Sequence, residues 1–170
     1  MLKAFVPRET EPGETRCAAS VDSIGQMVKA GLTVLVESGA GAGSDLTDPD
    51  LQAAGAEVVD AAAGYAAAQV VLKLHPPDLE EAQRIPEGAI LISFLYPGLN
   101  PDLVEALRAR QVSALAMELI PRITRAQKMD ALSSQANIAG YKAVIMAADR
   151  LPKMFPLLMT AAGTIRPAHV

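Results

Sequence analysis

Six short apolar runs, at residues 2–6, 33–36, 57–59, 70–74, 89–94 and 113–119, are separated by segments with helical patterning and by short links. This rhythm narrows the folds open to the chain more than any other feature. Runs of that length read as strands, and Thr33-Val34-Leu35-Val36 has the unbroken β-branched and leucine character of a strand covered on both faces. Strand and helix in strict alternation imply an α/β fold: an open, mostly parallel sheet with helices on both faces. The helix starts carry their own marks. Ser20 caps a helix over 21–30 that puts Ile24, Met27 and Val28 on one face, with Gly31 just past its end. Thr47 with Asp50, and Asp78 with Glu81, have capping-box spacing. Asn100-Pro101 has the N-cap and N1 arrangement.

Hydrophobic residues make up 51% of the 170 and aromatics only 4%, with no tryptophan, so the core must come from Val, Leu, Ile, Ala and Met packed closely between helix and sheet. A net charge of −4, with no basic patch outside one loop, argues against nucleic acid as a partner. Cys17 is the single cysteine, which forbids an intramolecular disulfide and fits a reducing, cytoplasmic compartment. The opening MLKAFVPRE lacks the apolar core of a signal peptide, and no uncharged apolar stretch approaches the roughly 18 residues of a spanning helix. No metal site is expected.

The chemistry is concentrated in residues 117–144, MELIPRITRAQKMDALSSQANIAGYKAV. An apolar run is stopped by Pro121 and empties into a dense polar set that includes Arg122, Thr124, Arg125, Gln127, Lys128, Asp130, Ser133 and Ser134. A helix is expected to resume near Ser133 or Ser134. A strand end followed by a polar loop and a helix start is where α/β proteins hold ligands. The helix over 133–148 is apolar nearly all round, which implies that it is buried or lies between two domains. Lys73 and His75, two apart on one strand, are expected to share a face and, with Arg16, to form a cationic pocket for a carboxylate. GAGAGS at 39–44 follows a strand but misses dinucleotide-fingerprint spacing, and reads as a flexible loop beside a cleft.

VPRETEPGETRCA, the unit ending VVLKLHPP, ILISFLYP and above all the RAQ-x-MD-x-LSSQ-x-N-x-AGY segment resemble the NAD(H)-binding first domain of proton-translocating NAD(P) transhydrogenases, over essentially the whole chain. The resemblance implies a flavodoxin- or Rossmann-like fold and hydride transfer between NAD(H) and NADP(H), coupled to proton translocation. It further implies that Gln127 and Asp130 position the nicotinamide, and that Arg122, Arg125, Gln127, Asp130 and Ser133 bind the cofactor, NAD(H). The implied partners are the NADP(H)-binding and membrane subunits and, in the full-length parent, a second copy. The implied location is cytoplasmic, peripheral to the inner membrane through those partners. Alanine dehydrogenases are similar to the same family and share Arg16 and Lys73. Their substrate-binding lysine and catalytic histidine fall where this chain has His75 and Tyr96, which disfavours amino-acid oxidation. The family's glycine-rich cofactor turn is expected after Val170 and is not in the sequence. The expectation is therefore an N-terminal part, inactive alone, with an α/β domain at 1–132 and an interdomain helix and connector at 133–170. An alanine-dehydrogenase-like fragment and a non-catalytic subunit-pairing module are the alternatives.

Overall fold

In the computed structural model, which describes residues 1–169, six parallel strands form one sheet in the order β3-β2-β1-β4-β5-β6. They are β1 (Lys3–Val6), β2 (Thr33–Glu37), β3 (Glu57–Val59), β4 (Val70–Leu72), β5 (Ile90–Ser93) and β6 (Ser113–Ala116). Strand order reverses between β1 and β4, which pair in parallel through Ala4 with Val70 and Phe5 with Val71. In open α/β sheets ligands are held at such a reversal, outside the carboxyl ends of the two strands.

Because side chains alternate along a strand, β1 and β2 feed two separate cores. Val6, Val34 and Val36 pack with Ile24 and Leu51 on the face covered by α1 (Val21–Lys29) and α2 (Asp48–Ala53). Phe5 and Leu35 pack on the other face with Tyr65, Ile85, Leu103 and Leu107, from α3 (Ala61–Ala67), the end of α4 (Leu79–Arg84) and α5 (Pro101–Ala109). The sheet is thus covered on both sides, as the alternation of runs and helices requires. The capping boxes at Ser20, Thr47 and Asp78 are formed; the Ser20 box is closed by Ser23.

Two strand ends and one helix cap in the sheet domain differ from the expectation for physical reasons. β4 stops at Leu72, two residues early, because the Glu9 carboxylate accepts the Leu74 and His75 N–H groups at 2.6 and 3.2 Å. β6 stops at Ala116, and a 3-10 turn over Met117–Leu119 aims Glu118 back at the exit of β5. Asn100 makes no side-chain cap on α5; its amide donates to the Leu95 carbonyl at 2.8 Å and fixes the preceding turn instead.

The chain divides into two compact units, residues 1–121 and residues 122 onward. The second unit holds a 3-10 helix (Thr124–Met129), α6 (Ala131–Arg150) and a hairpin of β7 (Leu158–Thr160) and β8 (Gly163–Ile165). α6 begins at Ala131, earlier than expected, because Asp130 caps it. None of its residues is buried, and Ile138, Tyr141 and Val144 are all more than half exposed, so of the two expectations burial is not met and a place between two domains is left.

Candidate functional site

The carboxyl ends of β1 and β4 carry the charged groups of the first unit. Lys73 is only 4% exposed and its Nζ lies 2.7 Å from Glu81 and 3.8 Å from Glu9. Glu81 closes the cap of α4 with its other oxygen, which accepts the Asp78 N–H at 3.1 Å. His75 sends Nε2 to within 2.7 Å of Glu14, and Arg16 grips the same carboxylate through Nε at 2.8 Å and Nη2 at 2.5 Å. The guanidinium hydrogen bonds hold the Glu14 carboxyl far below the usual carboxylate range, against the opposing effect of burial. They raise Arg16 in return.

The expected cationic pocket is therefore not present as such. Lys73 and His75 do not share one ligand, since a lysine taken out of water needs a counterion, and Glu81 and Glu9 supply it. Glu14 occupies His75 and Arg16. Sequence reading missed these carboxylates because RETEPGETR looks like a solvated charged turn. Its place directly after a strand, at the end where strand order reverses, was the available signal.

The glycines of 39–44 also have a structural explanation. A Cβ on Gly43 would lie 2.6 Å from the Thr15 carbonyl oxygen, and Ser44 Oγ donates to that oxygen at 2.7 Å. The loop is packed against the segment that carries Glu14 and Arg16. Its Gly39 N–H already has an anion, the Asp48 carboxylate at 2.9 Å, whose second oxygen accepts from Ser38 at 2.7 Å.

In the second unit, the polar set sits on the 3-10 helix and the first turn of α6. Asp130 accepts from the Ser133 N–H at 2.9 Å and the Ser133 hydroxyl at 2.6 Å, while the Ser134 hydroxyl donates to its carbonyl at 3.1 Å. Those Ser133 bonds, with a smaller contribution from the charge of Arg122, lower the Asp130 carboxyl from its ordinary value. Two acceptor positions remain on the carboxylate after the cap is made. Arg122, Arg125, Gln127 and Ser133 are exposed. Among the described residues no hydrogen bond ties down the side chain of Arg122, Arg125 or Gln127, whereas Asp130 and Ser133 are fixed to each other. Among the described residues no helix is long and apolar enough to cross a membrane, and no three potential metal ligands converge.

A doubly wound parallel sheet with charged groups at its reversal point defines an α/β protein of the Rossmann-like class. Residues 5–139 match the family model described as alanine dehydrogenase/PNT, N-terminal domain, and the chain belongs to that family. It is 46% identical over 175 residues to the first part of the NAD(P) transhydrogenase alpha subunit of Rhodospirillum rubrum, covering 99% of this chain and 46% of that one. The crystal structure of transhydrogenase from Sinorhizobium meliloti superposes with a TM-score of 0.93 at 43% identity, over 98% of this chain and 50% of that one. An L-alanine dehydrogenase structure is more distant, at a TM-score of 0.80 and 26% identity over 93% of this chain and 44% of that one. The chain thus spans about half the length of these relatives, and the transhydrogenase resemblance read from its motifs holds.

Proposed function

We propose that this chain supplies the nicotinamide side of an NAD(H) site in a transhydrogenase that passes hydride between NAD(H) and NADP(H). The observation that carries this reading is the state of the 122–133 segment: exposed Arg122, Arg125 and Gln127 whose side chains hold no hydrogen bond among the described residues, beside an Asp130–Ser133 pair anchored by the helix cap. Gln127 has the donor and acceptor needed for a carboxamide, the two arginines suit a pyrophosphate, and the two free acceptor positions of Asp130 suit a ribose hydroxyl. Hydride transfer asks no proton of the protein, so positioning and exclusion of water are the whole task.

The reading extends to an NADP(H)-binding subunit and membrane subunits as partners, to a homodimer, and to a cytoplasmic position at the membrane reached through those partners. It also takes 1–132 as the α/β domain and 133–170 as an interdomain helix and connector. Amino-acid oxidation fits less well, because the His75 ring is engaged by Glu14 and position 96 carries a phenol in place of an imidazole base.

NADH titrated into the 170-residue chain and followed by the nucleotide's own fluorescence, with no tryptophan to interfere, tests the reading. The expected result is weak saturable binding that Gln127→Ala lowers by about fivefold or more, the loss of one to two hydrogen bonds. Saturable binding indifferent to Gln127→Ala overturns it. So does pyruvate-dependent NADH oxidation.

A further inference from the structure

The exit of β5 shows one aromatic ring to solvent in a backbone conformation that costs free energy to hold. Tyr96 has φ 45°, in the left-handed region where a bulky aromatic is rare. The other non-glycine residues with positive φ, Asp45 and Gln111, are polar residues of turns. Several bonds keep Tyr96 there. Glu118, reaching across from the turn after β6, accepts the Tyr96 N–H at 2.6 Å and the Leu95 N–H at 3.1 Å. The Tyr96 carbonyl accepts from Leu99 and Asn100 N–H groups at 2.8 and 3.1 Å. The Asn100 amide holds the Leu95 carbonyl.

None of this buries the ring, which leaves Tyr96 43% exposed. What the bonds fix is the direction in which the side chain leaves the backbone. Phe94 lies nearly parallel to it, with ring centroids 6.1 Å apart and planes inclined by 12°. The chain has three phenylalanines, three tyrosines and no tryptophan, and two of these six aromatics form this pair. The pair stands at the carboxyl edge of the sheet, one strand from the reversal point.

We propose that Tyr96 is a stacking platform for the nicotinamide ring of a dinucleotide, held ready by Glu118. An exposed aromatic face fixed in direction binds a flat nitrogen ring, cationic in the oxidised nicotinamide and neutral in the reduced one. The proposal rests on the nicotinamide-nucleotide reading above. The ring is common to NAD(H) and NADP(H), and titration with each nucleotide separately tells which one Tyr96 receives.

The test follows tyrosine ring resonances by NMR while 1-methylnicotinamide, the ring without phosphate or ribose, is added to the 170-residue chain. Tyr96 is expected to shift well beyond Tyr141, which is 71% exposed on α6 and reports nonspecific stacking, while buried Tyr65 stays still. In the NADH titration, Tyr96→Leu is expected to weaken binding by about tenfold and Tyr96→Phe to keep it within about twofold, since stacking needs the ring and not the hydroxyl. ADP-ribose, which has no nicotinamide, is expected to bind both variants alike. A Tyr96 response no larger than that of Tyr141 overturns the proposal, as does a Tyr96→Phe defect equal to that of Tyr96→Leu. If Tyr96 responds to the ring but NADH binding ignores Gln127, the loop reading fails and the platform stands. If NADH binding depends on Gln127 but not on the ring at 96, the platform fails and the loop reading stands.

Discussion

Lys73→Met is expected to destabilise the chain by about 3–5 kcal/mol, the usual loss when one member of a buried ion cluster is removed. Lys73 Nζ sits between Glu81 at 2.7 Å and Glu9 at 3.8 Å, with side chains 1%, 11% and 2% exposed. Removing the ammonium leaves two carboxylates out of water with no cation. Glu9 retains its backbone donors at Leu74 and His75, and Glu81 retains Asp78, but neutral N–H groups do not replace a charge. The midpoint of urea unfolding should fall with little change in its slope. Adding Glu81→Gln to Lys73→Met should recover part of the loss, because one of the two unpaired charges is then gone. A loss below about 1 kcal/mol would show that water reaches the cluster and that Lys73 is free to act as a ligand group.

Gly64→Ala should destabilise by an amount near the upper end of the roughly 1–3 kcal/mol range for overpacking. A Cβ at Gly64 would lie 2.1–2.5 Å from three atoms of the Phe5 ring. Phe5 cannot move aside: it is fully buried at the centre of the sheet and held edge-on against Tyr65, with centroids 5.0 Å apart. Phe5→Leu in the same chain should relieve part of the clash. Gly25→Ala is the matched control, since that position lies in α1 with open space around its Cβ, and it should stabilise by about 0.5–1 kcal/mol. Thermal unfolding of the three variants decides it; equal effects of Gly64→Ala and Gly25→Ala would mean that the α3–β1 contact is looser than its geometry.

The sheet was legible in the sequence because each strand is a short apolar run with helix signals on both sides. β3 falls on the residues expected, and Thr47, Asp78 and Ser20 cap where their spacing places them. What local pattern could not convey is how residues far apart in sequence meet. Glu9 finds Lys73, and Glu14 finds His75, only after β1 and β4 pair, so separate charges read as a free cationic pocket. Glu118, a lone acid in an apolar run, is silent until β6 lies beside β5. The start of α6 was within reach: Asp130 and Ser133 have N-cap spacing, and taking Ser133 as the first helical residue hid it. The all-round apolar character of α6 predicted burial or a place between two domains; the structure shows no burial, because composition tells that a face is to be covered and not what covers it.

The segment 122–133 can be tested in the reaction itself. A chimera in which this chain replaces the matching 175 residues of the Rhodospirillum rubrum subunit, assembled with that subunit's partners, can be assayed for hydride transfer from NADH to an NADP⁺ analogue at saturating nucleotide. Asp130→Asn is the informative change, since asparagine caps a helix as well as aspartate does while removing the charge and turning one acceptor oxygen into an amide donor. Turnover is expected in the chimera, lowered by about tenfold or more in both Gln127→Ala and Asp130→Asn, with α6 helicity unchanged. An active chimera whose turnover is untouched by both changes would contradict the assignment and remove this loop from the nicotinamide site.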